Sequence, residues 1–355
     1  MNWPACVLDN VSLTLGAFSL QRMALTIAPG EIWALLGPNG AGKSVTLETI
    51  AGFHRPHSGR IFIAGRDVTE LPPERRDVAL VLQNYGLFPH LTVARNVAFG
   101  LGIRSPDVRR ELERFGIAHL SERRPPDLSP GEKQRTALAR ALIRKPALFL
   151  FDEPFAALDA RTREDLREEL LTFLRETGVV AIFVTHDQTD ATVLADRVAI
   201  MQSGAIVQAG RVMDVLAAPA NSFVAEFLGV ENLLLARVVG RTGPFVRVAV
   251  GARFLNVHDG AEASPTSETL LCIRGEEIAL SRSDGGEPGS TSSNRLAMRI
   301  VRVTSVGPFC KVLLDGGFPL IACLTRRTAR ELGLAPGDDA VVEIAPDSIH
   351  MVAAG

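Results

Sequence analysis

The stretch EIWALLGPNGAGKSVTLETI (residues 31–50) sets an apolar run, a glycine-rich turn and a helical pattern in direct succession. Its centre, GPNGAGKS (37–44), fits G-x-x-x-x-G-K-[ST], and a strand before it with a helix after it is the context that pattern requires. Glycines let backbone N–H groups turn inward around phosphate oxygens, and the helix start adds the positive end of its dipole. Gly37, Pro38, Asn39, Gly40, Ala41, Gly42 and Val45 are therefore expected to line a polyphosphate, with Lys43 reaching its β- and γ-phosphates. The Ser44 hydroxyl is a ligand for Mg²⁺. A glycine-rich turn without a ligand has no need of this lysine and this hydroxyl at their fixed positions.

Working outward, EIWALLG (31–37), VALVLQ (78–83), ALFLF (147–151) and VVAIFVT (179–185) read as strands buried on both faces, the mark of a parallel sheet. Amphipathic helices follow several of them, among them RTREDLREELLTFLRET after Asp159, which predicts an α/β layer architecture. Between Pro89 and Ser129 the pattern turns mostly helical, so a helical insert is expected over about 89–135. ALFLFDEP (147–154) ends a strand in two acids, Asp152 as candidate metal ligand and Glu153 as candidate general base. AIFVTHD (181–187) delivers His186 from another strand end, within reach of a γ-phosphate. LVLQN (80–84) delivers Gln83, whose amide is placed to sense both Mg²⁺ and an attacking water. Taken singly, each has a bland reading: acids after an apolar run are most often a solvated strand end, and a lone histidine is usually a surface or core residue.

The segment PPDLSPGEKQRTALARAL (125–142) carries Ser129 and, three places on, Glu132, a capping box that predicts a helix to about Ile143. A helix N-terminus with free N–H donors is also what binds a phosphate. Pro130 falls in the first turn, where its missing N–H would be unpaired anyway.

The order of these segments carries more weight than any one of them. The phosphate loop, Gln83, LSPGE, FDEP, ALD (157–159) and His186 together resemble the ATP-binding cassette family of transporter ATPases over residues 1–229. The resemblance implies a P-loop NTPase cassette with a helical subdomain that binds ATP and Mg²⁺. It also implies that two copies sandwich the nucleotides, with Ser129, Gly131, Glu132 and Asp159 completing the partner's site. Integral-membrane permease subunits, a substrate-binding protein reached indirectly, and a peripheral place on the cytoplasmic face of the inner membrane are further implications. Pro130 departs from the glycine usual in that signature, and Leu15 stands where members stack adenine on an aromatic, with Phe18 as the alternative contact.

Composition agrees with a globular chain: 46% hydrophobic and 22% charged residues, with a formal charge of −2 that gives no basic stripe for nucleic acid. The 4 cysteines show no CxxC pairing, which predicts a reduced setting. MNWPACVLDN lacks a basic segment leading into an apolar stretch, so no signal peptide is expected. The apolar runs fall short of the roughly 20 residues of a membrane span.

From about Val230 the texture changes to short alternating segments between Gly/Pro turns, which predicts a small β-barrel over 230–355. SRSDGGEPGSTSSN (281–294) reads as a flexible connector that splits it into two halves. RVTSVGPFCKVLLDGG echoes RVVGRTGPFVRVAVGA, which suggests an internal duplication. The region resembles the oligobinding, TOBE-like barrel of importer ATPases, including its molybdate-binding version, and the cassette segments look most like molybdate/tungstate importers. Sulfate, ferric-iron and polyamine importers are near neighbours, and a soluble cassette ATPase is the reading from another class. In LTRRTAREL (324–332), Thr325 is expected to cap a short helix with Arg326 and Arg327 in its first turn. Cations there oppose the helix dipole, a conflict that a bound oxyanion would resolve.

Overall fold

A computed structural model describes residues 3–99, 106–156, 158–258, 268–282 and 293–353. Contacts divide the chain into two compact units, Met1–Val215 and Leu216–Gly355. In chain order the first unit begins with β1 (Cys6–Leu15), β2 (Phe18–Ile27), β3 (Ile32–Leu36), α1 (Lys43–Ala51), β4 (Ser58–Ile63), β5 (Arg66–Asp67) and β6 (Val78–Val81). There follow α2 (Val93–Val97), α3 (Pro106–Arg114), α4 (Pro130–Leu142), β7 (Leu148–Asp152), α5 (Ala160–Thr177), β8 (Val180–Val184) and α6 (Gln188–Leu194). The unit closes with β9 (Arg197–Gln202) and β10 (Ala205–Arg211), and α7 (Val212–Ala217) comes next.

Its central sheet runs β10-β9-β3-β8-β7-β6, parallel from β9 to β6, and a second, antiparallel sheet runs β2-β1-β4-β5. Burial on both faces follows from the twofold period of a strand. Leu148 and Leu150 of β7 and Ile182 of β8 join the core shared with α1 and the antiparallel sheet. Phe149, Phe151 and Phe183 alternate with them into the core built on the helices, where Phe151 and Phe183 stack at 4.5 Å between centroids. The segment VALVLQ departs from its expected burial: only Val81 of β6 is buried, because β6 is the edge of the sheet. α2, α3 and α4 fill the span between β6 and β7.

The second unit holds α8 (Ser222–Phe227), β11 (Asn232–Thr242), β12 (Phe245–Val250), β13 (Arg253–His258), β14 (Glu268–Ile273) and β15 (Ile278–Arg282). It continues with β16 (Asn294–Val306), β17 (Phe309–Asp315), β18 (Pro319–Thr325), α9 (Arg326–Glu331), β19 (Asp339–Ile344) and β20 (Ile349–Ala353). Two antiparallel sheets, β13-β12-β11-β14-β20 and β18-β17-β16-β19-β15, enclose one core. They have the same strand order, so β11 to β14 correspond to β16 to β19, and the fifth strands are exchanged. β15 follows the first set yet pairs with β19, while β20 follows the second set yet pairs with β14. The expected connector lies largely outside the described residues, and it does not separate self-contained halves, because each lends its last strand to the other.

The duplication extends to single residues. Asn232 opens β11 and Asn294 opens β16, and both are buried. The Asn232 amide donates to the carbonyls of Ile273 (3.1 Å) and Ile321 (2.9 Å) and accepts from Ile321 N–H (2.6 Å). Asn294 donates to Ile344 (3.2 Å) and Asn256 (2.8 Å) and accepts from Asn256 N–H (2.6 Å). Each asparagine thus ties its own sheet to the other. The register also slips at matching places, between Val238 and Gly240 and between Ile300 and Arg302. Removing either amide strands buried backbone groups, at about 1–3 kcal/mol each. Asn232→Ala and Asn294→Ala are each expected to destabilise this unit by about 2–4 kcal/mol in chemical unfolding; an unchanged midpoint in both would refute the pinning role.

Candidate active site

Parallel strands deliver their C-terminal ends to one edge of a sheet, and β3, β8, β7 and β6 lie side by side there. β3 runs into the glycine-rich turn and α1. Gly42, the N-cap of α1, has φ +100° with no side-chain cap, which leaves the helix's first N–H groups free for an anion. A Cβ on Gly42 would lie 2.5 Å from Cζ of Phe18, so the loop packs directly against that ring. Phe18 also joins the core, whereas Leu15, its cross-strand partner in the β1–β2 hairpin, is exposed.

Lys43 is buried and folds back on its own loop, donating to the carbonyls of Gly37 (2.8 Å) and Pro38 (3.1 Å). Burial lowers the pKa of its ammonium, against the pull of Glu153 and Asp152. The Ser44 hydroxyl donates to Asp152 Oδ1 at 2.9 Å. Burial raises the Asp152 carboxyl above the usual range, with Glu153 and Glu48 adding to the rise while the Ser44 bond and Lys43 work against it. One hydroxyl and one such carboxylate suit a divalent cation that takes its other ligands from phosphate and water. Its charge would relieve an acid held in acidic company.

Glu153 follows directly and has φ +45°, a left-handed conformation that costs a residue with a side chain roughly 1–3 kcal/mol. Its N–H donates to the Val184 carbonyl at 2.9 Å, which fastens the strained residue to the end of β8. Its carboxylate lies 3.2 Å from His186 Nδ1 through one oxygen and 3.5 Å from Gln83 Nε2 through the other. Gln83 thus lies beside the candidate base. The structure gathers six residues of the sequence reading into two adjoining groups, Lys43, Ser44 and Asp152 beside Gln83, Glu153 and His186.

Ser129, Gly131, Glu132 and Asp159 form a separate patch. Among the described residues no hydrogen bond or ion pair joins them to the phosphate loop or to Glu153; Ala157 lies outside the described residues. The capping box forms: Glu132 N–H donates to Ser129 Oγ (3.3 Å), and Ser129 N–H donates to Glu132 Oε2 (2.7 Å). That backbone donor holds the Glu132 carboxyl below the usual range. Pro130 is the first residue of α4. Asp159 caps α5 through Thr162 N–H (3.1 Å), and Gly131 packs on Thr162, whose Cγ2 a Cβ would approach to 3.0 Å.

Two supports carried no signal in the sequence. Gly204, in the β9–β10 turn, donates its N–H to the Ala41 carbonyl (3.0 Å) and accepts from Gln21 (2.8 Å), and a Cβ there would lie 1.9 Å from the Ser19 carbonyl oxygen. It braces the phosphate loop against β2, yet its Ser-Gly dipeptide reads only as a hairpin turn. Arg140 of α4 donates to the carbonyls of Tyr85 (2.9 Å) and Gly86 (2.7 Å), holding the chain just after Gln83. In the second unit, α9 forms with Thr325 as its cap, but Arg327 pairs with Glu331 at 2.7 Å. Both partners of that pair are exposed, and Glu331 at the C-terminal end of α9 opposes the helix dipole as Arg327 does at its start.

Residues 20–156 match the ABC transporter family and residues 290–351 the TOBE domain. The molybdate/tungstate import ATP-binding protein WtpC of Pyrococcus horikoshii is 38% identical over 97% of this chain and 98% of its own length. The Fe(3+) ions import ATP-binding protein FbpC of Agrobacterium fabrum is 40% identical over 80% of this chain and 82% of its own. A solved dimeric structure of an ATP-binding cassette in a post-hydrolysis state, bound to ADP and Pi, superimposes with a TM-score of 0.53 at 28% identity, covering 58% of this chain and 98% of that one.

The brace at Gly204 yields a test. Gly204→Ala sets a side chain against the β2 backbone at φ +82°, and the turn must move away from Ala41. We expect a loss of about 2 kcal/mol or more in stability together with weakened ATP binding in titration. Unchanged affinity would show that the turn does not support the loop.

Proposed function

The chain belongs to the ATP-binding proteins of ABC importers, which are ATPases, and we propose that it powers uptake of an oxyanion, molybdate or tungstate. The cargo reading is supported by two molybdate/tungstate relatives that align over 97% of this chain, the C-terminal unit included, while a third aligns over 78%, beside 80% for the iron relative.

ATP lies with its phosphates on the Gly37–Ser44 loop, facing the free N–H groups of α1, with Lys43 leaving its loop carbonyls for the β- and γ-phosphates. Ser44 and Asp152 would hold Mg²⁺, which would supply positive charge against the phosphates. Glu153 takes the proton of the attacking water, a role for which its carboxylate is held at the site's edge by strained backbone. Gln83 and His186 stand on either side of that carboxylate, so each orients the same water, and His186 reaches on to the γ-phosphate. Phosphoryl transfer asks for positioning and charge stabilisation rather than covalent chemistry, and these side chains supply both.

The patch of Ser129, Gly131 and Asp159 lies apart from the loop of its own chain and fits the loop of a second copy, so two chains close head to tail on two nucleotides. ATP binding closes that pair and hydrolysis releases it, a change that a permease converts into transport. A groove of about 490 Å³ lined by Phe53, Phe88, Phe99 and Arg140 suits the permease contact, and its Phe53 and Phe99 rings are open to solvent. No helix among the described residues is long and apolar enough to cross a membrane. As an importer ATP-binding protein, it works at the cytoplasmic face of the membrane, beneath permease subunits fed by a substrate-binding protein.

Glu153→Gln is expected to bind ATP as the parent does while turnover falls by roughly 10²-fold or more. With ATP and Mg²⁺ it accumulates as a dimer in size-exclusion chromatography; a variant that stays monomeric at saturating nucleotide would sink the paired reading. For the cargo, the chain reconstituted with the permease encoded beside it should raise its ATPase rate with a molybdate-loaded binding protein. Stimulation by ferric iron alone would transfer it to the iron importers.

A further inference from the structure

His186 reaches Glu153 from a side chain that is 60% exposed, so packing around the imidazole does little to set its direction. Its backbone, by contrast, is held on both sides. Thr185, the residue before it, is 4% exposed, and its hydroxyl donates to Asp190 Oδ2 at 2.9 Å while accepting from Asp187 N–H at 3.0 Å. A hydroxyl has a single proton. With that proton committed to Asp190, its lone pairs are turned to Asp187, and one oxygen links the residues before and after His186. Asp190 in turn is fixed by Arg167 of α5, whose Nε donates to Oδ1 at 3.0 Å and whose terminal nitrogen donates to the same oxygen. That use of Oδ1 leaves Oδ2 free for Thr185.

Arg167 and Asp190 are 9% and 5% exposed. A buried ion pair is weak evidence for stability, since desolvation offsets much of its attraction and apolar residues of similar volume pack as well. What the pair adds is direction: it sets one carboxylate oxygen opposite one hydroxyl. Arg163, one turn earlier on α5, extends the fastening by donating to Asp187 Oδ2 (3.5 Å) and to the Leu158 carbonyl (3.3 Å), beside the Asp159 cap.

We infer that Thr185, Asp190 and Arg167 are positioning residues for His186, holding the β8–α6 turn so that the imidazole stays against Glu153 during hydrolysis. The inference rests on the role given to His186 above. A displacement of about an ångström in a reacting geometry costs up to roughly 10²-fold in rate. For the full-length chain, Thr185→Val keeps the side-chain volume and removes the hydroxyl; its turnover should fall about tenfold while ATP affinity holds within about twofold of the parent. Thr185→Ser retains the hydroxyl and should restore turnover. Arg167→Lys keeps the charge without the fork and should lower turnover in the same way, which keeps the idea testable if the valine variant folds poorly.

The deciding measurement is a double-mutant cycle with His186→Ala in single-turnover hydrolysis. If Thr185 acts through His186, Thr185→Val has no further effect once the imidazole is gone. An equal fractional loss in that background, or parent-like turnover in Thr185→Val and Arg167→Lys, would overturn the positioning role alone. Parent-like turnover in His186→Ala itself would instead overturn the role of His186 and take this inference with it.

Discussion

The site exists because four parallel strands end on one edge, and the parallel register decides which ends are neighbours. β3 pairs with β8, β8 with β7 and β7 with β6, so residues from positions 43 to 186 come within hydrogen-bond reach. Hydrogen bonds between parallel strands are evenly spaced along the ladder, which lets each strand stop at the same height without a hairpin. At that height the chain can leave the sheet in an unusual conformation. Glu153 does so with φ +45°, and the ladder itself absorbs the strain through the bond from Glu153 N–H to Val184.

The electrostatics follow from that crowding. Asp152 and Glu153 share that edge with the buried Lys43, and Glu48 of α1 adds its charge, so the Asp152 carboxyl is pushed toward protonation and the Lys43 ammonium toward deprotonation. Both shifts have burial as their largest cause, and both work against the charged form of the group. A triphosphate with its divalent ion brings the opposite charges to each, so ligand binding and the relief of burial act together. Rigid backbone beneath the loop matters for the same reason: Gly204 bonds the Ala41 carbonyl and Phe18 packs against Gly42, which holds the loop while its ligands change.

The second unit solves a different problem. Two copies of one five-stranded design enclose a common core, and each surrenders its last strand to the other. A set of four strands would leave an open edge inside the unit, which the exchanged strand covers. The two asparagines then fix the sheets against one another through backbone groups that no ladder pairs.

What the sequence by itself determined is local. The phosphate loop, the strand-end acids, the Ser129 capping box and the Asp159 cap are short-range patterns, because each is set by backbone geometry over a few residues, and the parallel layer was legible from apolar runs. The echo between 237–252 and 302–317 was visible too, since duplicated strands keep their alternation. Only the tertiary structure decided which strand is the edge, so that VALVLQ is buried at Val81 alone. It also decided that Gln83 meets Glu153, that Arg327 pairs with Glu331, and that β15 and β20 change places. Those outcomes depend on pairings between residues far apart in the chain. Side-chain type and spacing carry no record of which distant backbone will lie alongside, and at Gly204 the whole requirement is the absence of a side chain beside β2.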